Sequence, residues 1–172
     1  NKIHRLRVIH IYEADFNGII GIKWKQLLHQ STHNNAIHTG QHGARPGHEA
    51  TTPDFMEELK NDIAYASRKA LINFDNDATS CYDRIIPALA SLLGRRHGLH
   101  RNIVFVHART LKEAKYKLKT VLGVSDEYYS HCEFFPIYGT GQGSANSPVI
   151  WTIVSSVLFE VHESQGHGAH FT

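Results

Sequence analysis

Apolar positions change period several times along the chain, and each change predicts an element. RLRVIHIY (5–12) mixes β-branched residues with basic ones and predicts a strand. In FNGIIGIKWKQLLHQ (16–30), Ile19, Ile22 and Leu27 fall at roughly helical spacing despite two glycines. STHNNAIHTGQHGARPGHEATTPD (31–54) is rich in Gly, Pro, Asn, His and Thr and predicts a long loop with room for one short strand. A loop that long in a compact domain is usually functional or disordered.

A helix is predicted from Pro53, capped by Thr52, with Asp54, Glu57 and Glu58 suited to its positive end. Its expected buried face is Phe55, Leu59, Ile63 and Ala66, at 4-4-3 spacing. LINFDND (71–77) predicts a short strand. A helix should then start near Thr79 or Ser80 and stop at Gly94, kinked or split by Pro87. NIVFVHARTLKEAKYKLKTVLG (102–123) predicts one further helix exposing Lys112, Lys115, Lys117 and Lys119. EFFPIYGTGQGSANSP (133–148) reads as strand, glycine-rich turn and helix start, continuing into VIWTIVSSVLFEVHE. With no repeat or dividing linker, residues 1–172 are expected to form one α+β domain.

Composition narrows the class without choosing a function. The chain is 41% hydrophobic and 20% charged, values of a globular domain able to bury a core. A formal charge of +2 permits a nucleic-acid partner without predicting one, because clustering matters more than the total. Cys81 and Cys132 stand far apart, so a disulfide framework is not expected and a reducing compartment is. The longest apolar run, VIWTIVSSVLF (149–159), is too short to cross a bilayer. The N-terminal segment NKIHRLRVIH does not read as a signal peptide. The expectation is an intracellular protein of nucleus or cytoplasm, away from the membrane.

Two segments carry candidate chemistry. In LINFDND, strand alternation puts Asp75 and Asp77 on one side, about 7 Å apart at ~3.3 Å rise per residue. One aspartate at a strand end suits Mg²⁺, which takes oxygen ligands and keeps few protein carboxylates. The competing reading makes Asp77 and Thr79 helix-initiating residues, with Asp83 and Arg84 a solvated pair. The second segment, YGTGQGSANSP (138–148), has Gln142 between its last two glycines. It could offer backbone N–H groups to an anion, or it could be an ordinary turn into a helix at Ser147–Pro148. It is neither a P-loop nor a dinucleotide fingerprint. Histidines at 33, 38, 42 and 48 have loose spacings and no paired cysteines, which is poor support for zinc.

Taken in order, four segments resemble reverse transcriptases of the non-LTR retrotransposon and group II intron type. DATSCYDRI (77–85) resembles motif A, and GTGQGSANSP resembles motif B, matching at Gln142, Gly143, Ser147 and Pro148. GQHGARPGHEA (40–50) is similar to the QxGxRPG segment, with His42 and Ala44 where aromatics are usual. RVIHIYEADFNGIIG (7–21) looks like a degenerate fingers motif with Val8 in place of proline.

The resemblance implies a right-hand polymerase fingers–palm fragment, with antiparallel palm strands packed with helices. Asp77 would be the catalytic ligand of two Mg²⁺ ions, assisted by the carbonyl of Ala78. Tyr82 would be the sugar gate favouring dNTPs. Gln142 and Gly143 would line the nucleotide pocket, and Arg7 would hold the triphosphate. Gly43 and Arg45 would support the fingers–palm junction near the template. The partners would be an RNA template, a DNA primer and dNTPs. Nothing between Pro148 and Thr172 resembles the aromatic-x-Asp-Asp of motif C, so the chain is expected to be a fragment lacking that motif and the thumb. The alternatives are an inactive remnant and an RNA-binding module using the basic residues around 95–119.

Overall fold

The structure, a computed structural model, describes residues 9–49, 51–73, 78, 80–132 and 139–167. Within these, six helices and four two-residue strands alternate with ordered loops. The helices are α1 (Ala14–His33), α2 (Thr51–Ala66), α3 (Cys81–Arg84), α4 (Pro87–Arg96), α5 (Arg101–Glu113) and α6 (Ser147–Ser164). Strands β1 (Lys115–Tyr116) and β4 (Tyr129–Ser130) pair antiparallel, as do β2 (Lys119–Thr120) and β3 (Gly123–Val124).

Helix α1 starts where the Glu13 carboxylate accepts the Phe16 N–H at 2.8 Å, satisfying one of the amides that a helix start leaves unpaired. Its inward stripe is Ile20, Trp24, Leu27, Leu28 and Ser31, while Ile19 and Ile22 face out. Helix α6 begins with Pro148 in its first turn, a position that needs no donor. Val149, Ile150 and Ile153 of α6 meet Ile20, Trp24 and Leu28, joined by Ile85, Ala90, Leu93 and Leu99. The core is therefore a helical one, with α6 packed on α1, α3 and α4, and α5 on α1 and α4. Gly94 lets α4 close on the indole, since a Cβ there would lie 2.9 Å from Trp24 Cη2.

The long loop between α1 and α2 is tied along α6. The Ser156 hydroxyl accepts the His38 N–H at 2.6 Å, and the Thr152 hydroxyl donates to the Gly43 carbonyl at 3.0 Å. Ile37 is buried, and His38 Nε2 lies 3.1 Å from Glu163. Serine and threonine on a buried helix face thus serve as loop anchors.

Several sequence expectations need correction. At Pro87 the expected split occurs in place of a kink, but the predicted stop at Gly94 is passed. Ser80 precedes α3 at φ 52°, Ile85 is extended, and α4 runs on to Arg96. The helix predicted over 102–123 ends at Glu113, where Ala114 turns extended at ψ 139°. Beyond it, Thr120, Val121 and Val124 are β-formers and Gly123 adopts φ 133°, so a hairpin wins over further helical turns. Helix α2 forms, but its predicted inner face is outside. Phe55 is 63% exposed, Leu59 41% and Ile63 57%, and Pro53 is its buried residue. Periodicity defined an apolar stripe, but no described element covers it.

The strand predicted over 5–12 is absent from residues 9–12, and Leu71–Asn73 likewise carry no regular structure. The remainder of both predicted strands lies outside the described residues.

Candidate functional site

Distant segments converge on the glycine-rich turn at 139–146. The Thr140 N–H donates to the Tyr82 carbonyl at 2.9 Å, docking the turn against α3. Gly139, at φ 89°, makes this approach possible: a Cβ there would lie 2.5 Å from both Asp83 Cα and the Tyr82 carbonyl oxygen. On the other side, the His10 N–H donates to the Gln142 carbonyl at 2.7 Å. Gly143, at φ 115°, passes so close that a Cβ would overlap the His10 carbonyl oxygen. The Tyr12 hydroxyl donates to the Thr140 carbonyl at 3.3 Å.

Asn17, in the first turn of α1, clamps the far end of the turn. Its amide nitrogen donates to the Gly143 carbonyl at 3.3 Å, and its oxygen accepts the Ala145 N–H at 2.8 Å. The Ser147 hydroxyl sits 2.9 to 3.1 Å from Thr140 O, Thr140 Oγ1 and Gly141 O, closing the turn onto α6. Asn146 accepts from the Ser144 hydroxyl, and its amide nitrogen donates to His107 Nε2 at 3.0 Å.

This wiring bears on the anion reading of the turn. The N–H groups of Thr140, Ser144, Ala145 and Ser147 all donate to protein acceptors. Gly139 and Gly143 serve close backbone packing, since a Cβ at either would meet another backbone.

Burial sets the electrostatics around the turn. It lowers the pKa of His10, with Asp83 pulling the other way. Burial also raises the Tyr12 hydroxyl, reinforced by neighbouring Tyr116. His107, 3% exposed, is pushed down to about 4 by desolvation. The donor from Asn146 requires a lone pair on Nε2, so neutral His107 carries its proton on Nδ1.

The residues singled out from sequence fall in several places. Tyr82 and Gln142 are half-buried beside the turn, and Gly143 is exposed within it. The Tyr82 ring packs against the hydrophobic core, and burial raises its hydroxyl pKa. Ala78 is exposed. Arg45 is turned inward: Nη1 donates to the His38 and Gln41 carbonyls, each at 3.2 Å, folding the loop that carries Gly43. Asp77, Asp75 and Arg7 lie outside the described residues. Among the described residues no group of three or more His, Cys, Asp or Glu is placed to hold a metal ion.

Sequence reasoning missed His10, Tyr12, Asn17 and His107 as supports of the turn. His107 had a readable signal, lying at i, i+4 spacing between Ile103 and Leu111 on one face of α5. Asn17 had none, because its partners are backbone groups far along the chain. Among the described residues no helix is long and apolar enough to cross a membrane. No protein-family model, curated protein or solved structure matches the chain significantly.

Proposed function

We propose that the chain is the fingers–palm part of an RNA-directed DNA polymerase of the non-LTR retrotransposon and group II intron type. The observation that supports this most is the contact between the two segments resembling motifs A and B. Their shared nucleotide pocket would require that neighbourhood, and the Thr140–Tyr82 backbone bond with the Gly139 approach supplies it.

On this reading Asp77 and the Ala78 carbonyl would hold Mg²⁺, which would supply charge neutralisation at the transferred phosphate and activation of the primer 3′-OH. The chain's other residues position and select. Tyr82 lies under the incoming sugar and disfavours a 2′-OH. Gln142 and Gly143 border the nucleotide, and Arg7 pairs with phosphate oxygens through its planar guanidinium. Arg45, engaged with its own loop carbonyls, acts as a structural support of Gly43 and the junction. RNA template, DNA primer and dNTPs are the partners.

A second reading is an inactive remnant that keeps the fold and some nucleic-acid affinity but does not polymerise.

The test is Mg²⁺-dependent primer extension on an RNA template by the protein its gene encodes. Extension, abolished in Asp77→Ala, is the expected result. Tyr82→Ala should retain extension and admit ribonucleotides. Folded protein that binds the template–primer but adds no nucleotide would sink the polymerase reading and leave the remnant.

A further inference from the structure

After α5 the chain leaves the helical core as an arm of two short ladders. β1 and β4 pair Lys115 with Ser130 and Tyr116 with Tyr129, while β2 and β3 pair Lys119 with Val124 at the tip. Between the ladders, the Leu118 N–H donates to Ser125 Oγ at 3.0 Å and the Ser125 N–H to the Leu118 carbonyl at 2.9 Å. The arm is thus one continuous hairpin, held by local bonds.

Its surface combines cations and exposed rings. Lys115, Lys117 and Lys119 are exposed at alternate positions, about 7 Å apart at ~3.3 Å rise per residue. Lys117 Nζ sits 4.7 Å above the Tyr128 ring, which is 64% exposed. Tyr129 is also exposed and stacks on Tyr116 at 5.4 Å. Tyr116 in turn lies 5.2 Å from the His10 ring, and the His10 backbone holds Gln142. A line of rings therefore leads from the arm to the glycine turn. Acidic Asp126 and Glu127 sit on the return side, and Glu113 is engaged by Arg109 at 2.9 Å.

A row of cations beside open aromatic faces is the chemistry that holds a single-stranded nucleic acid: charge follows phosphates, and rings accept bases of any sequence. We propose that the 115–130 arm is a single-strand nucleic-acid contact, with Lys115, Lys117 and Lys119 on phosphates and Tyr128 stacking a base. It takes RNA or DNA without sequence preference and leads the strand toward the glycine turn. The proposal rests on the polymerase reading only for that last step, because Lys115, Lys117, Lys119 and Tyr128 are none of the residues assigned to the metal or the nucleotide.

The test is fluorescence anisotropy of the whole chain with labelled oligo(U) and oligo(dT) of about 20 nucleotides, longer than the ~4–16-nucleotide footprint of single-strand binding folds. Affinity is followed across a salt series. The variant Lys115→Ser/Lys117→Ser/Lys119→Ser should flatten the log–log salt slope by about 2, at ~0.7 per phosphate contact. Tyr128→Ala should weaken binding about 5- to 150-fold at fixed salt. Lys23→Ser/Lys25→Ser/Lys60→Ser removes the same charge elsewhere and should leave the slope unchanged. Equal effects of the two triple variants would reduce the arm to a share of the general field and overturn the proposal. So would failure of the wild-type chain to bind either oligonucleotide at low salt. Primer extension reads the polymerase question separately, since arm variants leave the nucleotide pocket intact.

Discussion

Replacing Gly139 by alanine tests whether the glycine turn is truly docked on α3. At φ 89° an L-residue is strained, at about 1–2 kcal/mol for the left-handed backbone. The added Cβ would also lie 2.5 to 2.6 Å from Asp83 Cα, Asp83 C and the Tyr82 carbonyl oxygen. All three are backbone atoms, so no side chain can swing aside and the segments must separate. Overpacking of this kind costs about 1–3 kcal/mol, giving about 2–5 kcal/mol in all. At a urea dependence near 2 kcal/mol/M, the unfolding midpoint should fall by about 1–2.5 M. Two glycines calibrate the result. Gly98 has φ 99° but open space around its Cβ position, so Gly98→Ala should show only the backbone component of about 1–2 kcal/mol. Gly18 lies within α1 with nothing nearby, so Gly18→Ala should stabilise by about 0.5–1 kcal/mol. Circular dichroism in urea measures all three. If Gly139→Ala proved as mild as Gly98→Ala, the close approach of the turn to α3 would be refuted.

Other perturbations probe the remaining supports. Asn17→Ala removes both bonds of the clamp and should cost about 1–3 kcal/mol, with faster hydrogen exchange at Ala145; unchanged exchange there would dismiss the clamp. His107, with a folded pKa of about 4 against an ordinary 6.5, takes up its proton more readily in the unfolded chain. Its contribution is complete above pH 6.5 and is lost as pH falls toward 4, amounting to about 2 kcal/mol by pH 5. Urea midpoints at pH 8 and pH 5 should therefore converge in His107→Leu relative to wild type, and an identical pH dependence in both would contradict this. Ile150→Ala in the core should cost about 2–5 kcal/mol, whereas Leu59→Ser and Ile63→Ser on α2 should each stay within about 1 kcal/mol. A large loss from the α2 variants would mean that its apolar face is covered.

Local rules written into the chain determined much of this protein. Four-residue spacing produced α1 and α2, Pro87 ended one helix and began another, and Ser147–Pro148 opened α6 after the glycines. These depend on neighbours a few residues apart, so sequence alone displays them. Burial was decided only in tertiary structure. Phe55, Leu59 and Ile63 form as regular a stripe as Ile20, Trp24 and Leu27, but only the α1 stripe meets partners, from α4 and α6. The end of α5 was also misjudged, because a lysine-rich run suits an exposed helix and an exposed strand equally until pairing with Tyr129 and Ser130 chooses the strand. The candidate site divides the same way. The resemblance to reverse transcriptase motifs pointed to Tyr82, Gln142 and Gly143, while their placement against His10, Tyr12 and Asn17 depends on backbone groups, which carry no residue-specific mark in a sequence. Glycines 139, 141 and 143 are the trace of those contacts in the sequence, since each missing Cβ leaves room for an atom of Tyr82, Asp83, His10 or Tyr12.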